Sequence, residues 1–495
     1  MNLADLLIGH GAPEAAAVVD GDIVLTYSDL SQRAEGFASV LAARGVGRVD
    51  RVAIAAPNGA GFVAAYLGVL HLGAVAVPLN PQAPAPEIER ELAMVDAAAV
   101  VTDIDEVATA ADGRVVIALP DGSDLAPGRV ATRVDPSADE PAALLFTSGT
   151  AGPPRAAVLT HANLGANLRQ VLDHPGLALT PDDVALAALP FFHVFGLNVA
   201  LGVTLAAGAR LVVVPSFDPA QSLRVIAEHG VTVVAGVPAM FQAWAEVADA
   251  NRDAFASVRL AVSGAAALDE AVADAVGERF GLVVHQGYGL TEASPIVTTT
   301  ALADEPRVGS IGPPLPGVDV RLVDDDGSDV LAGDPGEIWV RGPNVFAGYW
   351  DDVDATNRVL TSDGWLRTGD LAVADERGVL SLVGRTKDVI IVSGFNVFPA
   401  EVEDTLRSHS AVVDVAVIGE PDERTGERVV AFVVPEKGAH PDVDELRRLA
   451  AGQLARYKCP ARIEVVDALP RTLIGKVMHR ALRGADSRAE RGPTS

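Results

Sequence analysis

Residues 142–155 read Ala-Ala-Leu-Leu-Phe-Thr-Ser-Gly-Thr-Ala-Gly-Pro-Pro-Arg, an apolar run that leads into hydroxyl groups, glycines and one cation. The apolar run predicts a buried strand, and the small residues after it predict a loop. The loop contributes three hydroxyl groups and two glycines, at Thr147, Ser148, Thr150, Gly149 and Gly152. Hydroxyls and backbone N–H groups can surround phosphate oxygens, and glycines let the backbone approach them closely. The loop therefore predicts phosphate binding, with an ordinary surface loop as the alternative; no Walker lysine follows it.

Around this loop, predicted helices and strands alternate for several hundred residues. A helix is expected at 28–44, with Ser28 as its N-cap and Gly45 at its end. Strands are expected at 51–56 and 74–78, with a helix at 61–72 between them. The alternation predicts an α/β fold of stacked, mostly parallel sheets that are covered by helices.

The pattern changes after about residue 305, where short strands are separated by Gly, Pro and Asp. We expect a small β-barrel-like region there, and a small mobile α+β domain after it. The predicted domains are an N-terminal domain over 1–386, a C-terminal domain over 387–483 and a disordered tail over 484–495.

Composition excludes several classes of protein. The 495 residues carry a net charge of −28, which disfavours nucleic-acid binding. The single cysteine, Cys459, allows no internal disulfide, and the N-terminus lacks a basic, apolar leader, so we expect a cytoplasmic protein. The apolar stretches 52–79 and 197–215 are interpreted as buried helix–turn–strand units rather than membrane spans. Transient membrane contact and a monomer or homodimer stay open.

The loop at 147–155 resembles the phosphate-binding signature T-S-G-T-T-G-x-P-K-G of the adenylate-forming superfamily. That superfamily includes acyl-CoA synthetases, luciferases and nonribosomal-peptide adenylation domains. This chain departs from the signature at Ala151, Arg155 and Ala156. Arg155 keeps the cation that the resemblance assigns to phosphate, and a guanidinium can bind phosphate through two parallel hydrogen bonds.

A second signature of the same superfamily is similar to residues 286–292, which read Gln-Gly-Tyr-Gly-Leu-Thr-Glu. Tyr288 offers a flat face for adenine, Thr291 a hydroxyl for phosphate and Glu292 a carboxylate for Mg²⁺, with Thr150 as a second metal ligand. The resemblance also implies that nucleotide-flanking backbone comes from Gly264, Ala265, Gln286, Gly287 and Gly289.

Three further motifs follow in the expected order. Residues 364–370 resemble the ribose-binding motif, which makes Asp370 the acceptor for both ribose hydroxyls. The resemblance assigns Arg385 to ribose or phosphate and Lys387 to the domain hinge. Residues 470–476, Pro-Arg-Thr-Leu-Ile-Gly-Lys, resemble the catalytic-lysine loop, and Lys476 would stabilise the charge where carboxylate meets α-phosphate.

Two segments indicate the branch of the superfamily and the class of carboxylic acid that the protein activates. Residues 393–401 resemble the acyl-CoA synthetase version of their segment, in which Gly394 would face the pantetheine tunnel of CoA. His193 lies in a segment similar to the acyl-pocket region, where it either gates the carboxylate or packs. No Asp occurs between 186 and 205, which disfavours an amino-acid substrate, and 231–245 carry no charge, which disfavours a dicarboxylate.

The resemblance therefore implies ATP-dependent formation of an acyl-AMP, followed by transfer of the acyl group to CoA. The expected cofactors are ATP, Mg²⁺ and CoA, and the expected substrate is a medium- or long-chain fatty acid. The alternatives are an aromatic or short/dicarboxylic acid, or an acyl-AMP ligase that loads a carrier protein. The small domain is expected to rotate about Lys387 between the two half-reactions.

Overall fold

The computed structural model describes residues 2–119, 133–147, 154–248, 250–302, 306–307, 309–324, 326–422, 424–472, 475, 477–479 and 481–482. In chain order the strands are β1 (Ala16–Asp20), β2 (Ile23–Thr26), β3 (Arg51–Ile54), β4 (Val75–Pro78), β5 (Ala99–Val101), β6 (Val115–Ile117), β7 (Pro141–Thr147), β8 (Arg155–Thr160), β9 (Val184–Ala187), β10 (Arg210–Val213), β11 (Val233–Gly236), β12 (Leu260–Ser263), β13 (Val284–Gly289), β14 (Ile296–Thr299), β15 (Asp319–Val323), β16 (Pro335–Arg341), β17 (Leu366–Ala374), β18 (Leu380–Arg385), β19 (Ile390–Val392), β20 (Phe395–Val397), β21 (Val412–Asp422), β22 (Gly426–Pro435) and β23 (Arg462–Val465).

The α-helices, in the same order, are α1 (Leu3–Ile8), α2 (Tyr27–Ala43), α3 (Ala60–His71), α4 (Ala85–Met94), α5 (Asp105–Ala110), α6 (His161–Leu172), α7 (Thr204–Ala206), α8 (Pro219–His229), α9 (Pro238–Glu246), α10 (Glu270–Phe280), α11 (Val353–Val359), α12 (Pro399–Arg407) and α13 (Val443–Gln453). A π-helix covers Phe195–Val203, and 3₁₀ turns cover Arg252–Phe255, Thr291–Ala293 and Thr386–Asp388.

The chain forms two compact units, the first of Met1–Asp319 with Val340–Leu366 and the second of Val320–Trp339 with Arg367–Ser495. The predicted domain boundary at 386/387 stays a prediction.

The first unit contains two mainly parallel sheets. One has the order β6-β5-β3-β4-β7-β8, with only β7 and β8 antiparallel to each other. The other has the order β14-β13-β12-β11-β9-β10-β1-β2 and is antiparallel only at its two ends. Helix α3 is buried over nearly its whole length because it contacts β3 and β4 of one sheet and β1 of the other. The expected α/β fold with stacked, mostly parallel sheets is confirmed.

The second unit contains a four-stranded sheet of order β15-β16-β17-β18 and a five-stranded sheet of order β20-β19-β22-β21, in which β23 pairs with β22. Helices α12 and α13 contact each other beside the second sheet and share its apolar core with it. The expected separate C-terminal α+β unit is confirmed, and the barrel-like form expected for the β region stays a prediction.

Local details differ from the expectations where side chains decide them. Helix α2 is capped by Thr26 rather than Ser28, because Thr26 and Asp29 form a reciprocal capping box. The apolar stretch after residue 195 begins as a π-helix, which the apolar pattern alone does not distinguish from an α-helix. Among the described residues, we find no helix with the length and apolar character that crossing a bilayer requires.

Candidate active site

The two ends of the predicted phosphate loop are held by a hairpin. Strands β7 and β8 are antiparallel, with Thr147 directly opposite Arg155. The Thr147 hydroxyl donates to the Arg155 carbonyl oxygen at 3.4 Å. The predicted loop residues Ser148, Gly149, Thr150 and Gly152 lie outside the described residues. The structure thus describes the two flanks of the loop, the end of β7 and the start of β8, and phosphate binding by the loop stays a prediction.

Arg155 has protein partners at the end of this loop. Its Nε lies 3.1 Å from Oδ2 of Asp352, and its guanidinium carbon lies 5.7 Å from the ring centroid of Tyr349. The other carboxylate oxygen of Asp352 accepts from the N–H of Ala355 and caps helix α11. This backbone hydrogen bond, with Arg155, lowers the pKa of Asp352 below its usual value. Asp352 therefore orients the cation that we predicted for phosphate.

The predicted nucleotide-flanking residues meet at one edge of the eight-stranded sheet. Strands β12 and β13 are parallel, with Ser263 opposite Gln286, so Gly264 and Gln286–Gly289 share the carboxyl edge. A Cβ on Gly264 would lie 3.1 Å from the Phe195 ring and 3.6 Å from the Gly287 carbonyl oxygen.

Neighbouring positions at this edge also have restricted backbones. A Cβ on Gly289 would lie 2.1 Å from the Pro295 carbonyl oxygen, so only glycine fits there. Ala265 has φ of +67°, an uncommon backbone conformation for a residue with a side chain. Tyr288 is buried at the same edge. These positions lie together at one sheet edge, and their predicted contact with a nucleotide stays a prediction.

Glu292, the predicted metal ligand, is held by a tyrosine that the sequence analysis did not single out. The Tyr349 hydroxyl donates to Oε1 of Glu292 at 2.7 Å. The N–H of Phe346 donates to the Glu292 carbonyl oxygen at 2.9 Å. Burial and the nearby Glu292 charge raise the pKa of Tyr349 above its usual value, so its hydroxyl keeps the proton that it donates.

Three buried asparagines hold the chain directly after Glu292. Asn344 donates to the Ala293 carbonyl at 2.8 Å, and Asn198 donates to the Ser294 carbonyl at 2.7 Å. Asn167 donates to the Ile296 carbonyl at 2.9 Å and accepts from the Ile296 N–H at 3.2 Å. Sequence reasoning missed these residues. The available signal is an amide within an apolar run, as at Asn198, because a buried amide needs hydrogen-bond partners.

The donor set fits a magnesium ion that arrives with a nucleotide. Mg²⁺ usually takes one or two protein carboxylates and completes its shell with phosphate oxygens and waters. Glu292 supplies one carboxylate, and the other predicted ligand, Thr150, lies outside the described residues. Within the described part of the chain, no group of three or more His, Cys, Asp or Glu side chains can hold a metal alone.

An apolar cavity of about 40 Å³ lies between the eight-stranded sheet and the π-helix. Val199, Ala200 and Val203 line it from the π-helix, and Val262 and Ile296 line it from β12 and β14, the two strands beside β13. The one polar side chain of its lining, among the described residues, is Thr204, whose hydroxyl donates to the Ala200 carbonyl at 2.6 Å. The cavity therefore offers apolar contact and no charge.

His193 lies just before the π-helix. The imidazole Nδ1 of His193 accepts a hydrogen bond from the backbone N–H of Phe195 at 3.2 Å. The backbone N–H of His193 donates to the Pro190 carbonyl at 3.1 Å. The side chain is half-buried. These contacts describe a histidine that fixes the start of the helix, and they leave its predicted role toward the carboxylate open.

In the second unit, Asp370 and Arg385 pair with each other across β17 and β18. Nε of Arg385 lies 2.9 Å from Oδ1 of Asp370, whose side chain is only 9% exposed. The N–H of Gly369 donates to Oε1 of Glu337 at 2.8 Å and so holds β17 directly before Asp370. Asp370, which we predicted for ribose, and Arg385, which we predicted for ribose or phosphate, are thus neighbours, and Arg385 orients the carboxylate.

The predicted hinge residue, Lys387, lies in the 3₁₀ turn that follows β18 and is exposed. Next to it, Oδ2 of Asp388 lies 3.8 Å from Nδ1 of His479. Burial alone would raise the pKa of Asp388, but His479, Lys387 and Arg385 together hold it below its usual value. Lys476 lies outside the described residues. The ends of its loop are described, and Arg471 and Val477 form an antiparallel bridge.

Gly394 occupies a two-residue turn between β19 and β20. Ser393 has φ of +53° and Gly394 has φ of +84°, which are the signs of a type I′ hairpin turn. A Cβ on Gly394 would meet no atom within 4 Å. Turn geometry thus explains the glycine, and the predicted contact with pantetheine stays a prediction.

This chain is similar to AMP-binding enzymes over most of its length. The sequence profile of the AMP-binding enzymes matches residues 9–350, and that of the AMP-binding enzyme C-terminal domain matches residues 401–476. A long-chain-fatty-acid–CoA ligase of Yersinia pestis is 36% identical over an alignment of 505 residues that covers 93% of this chain and 90% of that protein. A feruloyl-CoA synthase of Amycolatopsis sp is 39% identical over an alignment of 477 residues that covers 95% of this chain and 96% of that protein.

Among solved structures, ATP-bound MatB from Rhodopseudomonas palustris is similar to this chain with a TM-score of 0.92 and 36% identity. The similarity covers 97% of this chain and 98% of that one.

Proposed function

Because the chain belongs to the family of AMP-binding enzymes, and its relatives are acid–CoA ligases, we propose that it couples a medium- or long-chain fatty acid to CoA. The carboxylate attacks the α-phosphorus of ATP and releases pyrophosphate, which gives an acyl-AMP. The CoA thiolate then attacks the acyl carbonyl, and AMP leaves. Atoms balance, because the acid oxygen that bonds to phosphorus departs with AMP.

The roles of individual residues in this reaction are part of the proposal. The loop from Thr147 to Arg155 binds the phosphates, and Glu292 would hold Mg²⁺, which would screen their charge. Asp370, oriented by Arg385, binds ribose, and Lys476 stabilises the charge that develops between carboxylate and phosphate. Gly394 belongs to the later transfer to CoA.

The apolar cavity is the observation that favours a fatty acid. Its lining carries no charged group within the described residues, and the hydroxyl of Thr204 is already used by a carbonyl. A second carboxylate or a free phenol would lose its hydrogen bonds to water in this cavity and would find no polar group to replace them. The lining therefore favours an alkyl tail over a polar or charged group.

An aromatic acid is the second candidate, because the feruloyl-CoA synthase is as similar to this chain as the fatty-acid ligase. Pyrophosphate release should be measured over fatty, aromatic and dicarboxylic acids, with and without CoA. We expect fatty acids to give the highest kcat/KM and multiple turnovers only with CoA. A preference for ferulate overturns the fatty-acid assignment, and a single burst that ignores CoA indicates a carrier-loading ligase.

A further inference from the structure

Tyr349 places its hydroxyl against the predicted metal ligand, and nothing in the sequence signatures accounts for it. We propose that Tyr349 is a positioning residue, which holds the Glu292 carboxylate in the orientation that binds Mg²⁺ with the nucleotide. The inference rests on the proposed function, because it takes Glu292 as the metal ligand.

Tyr349 is fixed independently of Glu292. It forms an isolated antiparallel bridge with Ala157 of β8, and the Val158 N–H donates to the Gly348 carbonyl at 2.9 Å. Its own N–H donates to the Thr356 hydroxyl at 2.9 Å. Its ring meets the Phe346 ring edge-on, with centroids 5.0 Å apart. A phenol held in this way can impose its geometry on a more flexible glutamate.

The same short segment holds both the main chain and the side chain of Glu292. Phe346 binds its carbonyl oxygen and Tyr349 binds Oε1. The hydrogen bond to Oε1 gives the Glu292 carboxylate a defined orientation, in which it would bind Mg²⁺. Outer partners of this kind fix the orientation of a metal ligand, and their loss typically costs about 10–100-fold in metal affinity.

The segment also connects Glu292 to the phosphate loop. Strand β8 begins at Arg155, where the loop ends, and Tyr349 pairs with the same strand two residues later. Arg155 lies over the Tyr349 ring and binds Asp352. Tyr349 therefore fixes the metal carboxylate relative to the end of the loop that would bind the phosphates of the same nucleotide.

The test is equilibrium binding of a non-hydrolysable ATP analogue, measured by calorimetry in Mg²⁺ and in EDTA, without acid or CoA. Tyr349→Phe should weaken binding in Mg²⁺ about tenfold, while binding in EDTA and binding of AMP stay unchanged. Raising the Mg²⁺ concentration should restore the lost affinity, which a general loss of structure would not allow.

Tyr27→Phe is the matched control. It also removes one buried hydroxyl, which donates to the backbone carbonyl of Ala209 at 2.8 Å. This control should bind the analogue like the wild type in both media. In a Glu292→Gln background, Tyr349→Phe should have no further effect, because the tyrosine acts only through the carboxylate.

Equal binding by the wild type and Tyr349→Phe at every Mg²⁺ concentration overturns the inference and leaves the proposed function standing. An equal loss in Mg²⁺ and in EDTA also overturns it, since that result indicates a merely structural tyrosine. A wild type that binds the analogue without any dependence on Mg²⁺ overturns the metal role of Glu292 and this inference together.

Discussion

Filling the apolar cavity should shift the preference of the protein toward acids with shorter chains. Ala200 is 4% exposed and lines the cavity from the π-helix, so Ala200→Leu adds three carbon atoms to its wall. At about 0.8 kcal/mol per methylene, excluding about three methylenes of the substrate tail costs about 2.4 kcal/mol. That cost corresponds to a fall of about sixtyfold in kcat/KM for the longest acid used by the wild type.

Initial rates of pyrophosphate release with fatty acids of increasing length measure this effect. The shortest acids should keep their kcat/KM, because their tails do not reach the added carbons. Ala162→Leu makes the same change on α6, away from the cavity lining, and should leave the length profile unchanged. Thermal unfolding must show that Ala200→Leu is folded, since overpacking costs about 1–3 kcal/mol. An unchanged length profile in a folded Ala200→Leu protein refutes the assignment of the cavity.

Three other predictions concern separate parts of the chain. Lys476→Ala should slow acyl-AMP formation by about a hundredfold or more, yet spare thioester formation from supplied acyl-AMP; equal losses in both steps would refute its role. Glu292→Gln should lower pyrophosphate release about a hundredfold and abolish its Mg²⁺ dependence, and an unchanged rate would exclude the metal role. Burial lowers the pKa of His161 to about 4, below its value near 6.5 in the unfolded chain, so the unfolded chain binds the proton first as pH falls. Stability against urea should therefore decrease from pH 6.5 to pH 4 by up to about 3 kcal/mol, and His161→Asn, which keeps an acceptor for the Leu3 N–H, should flatten that decrease; an identical slope would contradict the argument.

The fold was predictable because its signals are local and repeated. The alternation of apolar strands with helices such as α2 and α3 is typical of a parallel sheet. Glycines at the end of a strand, as in 286–289, indicate a place where another segment or a ligand approaches the backbone closely. Capping was less predictable, because Thr26 and Ser28 are both suitable caps. The reciprocal bond with Asp29 decides between them.

The site was predictable only where one motif carries the chemistry. Glu292 stands in a recognisable signature, whereas Tyr349 reaches it from 57 residues away in sequence. The amide of Asn198 likewise acts on Ser294 across 96 residues. Such contacts depend on the path of the chain through space, and a single sequence does not encode them in any spacing. The cavity is formed by helix, strand and loop together, so its volume was not predictable either.

The proposed reaction joins a fatty acid to CoA at the expense of ATP. It is tested by the product balance of one reaction with a saturated fatty acid, ATP, Mg²⁺ and CoA, followed by mass spectrometry. We expect acyl-CoA, AMP and pyrophosphate to form in equal amounts. Formation of ADP, or an acyl-AMP that accumulates while CoA is unconsumed, would contradict it.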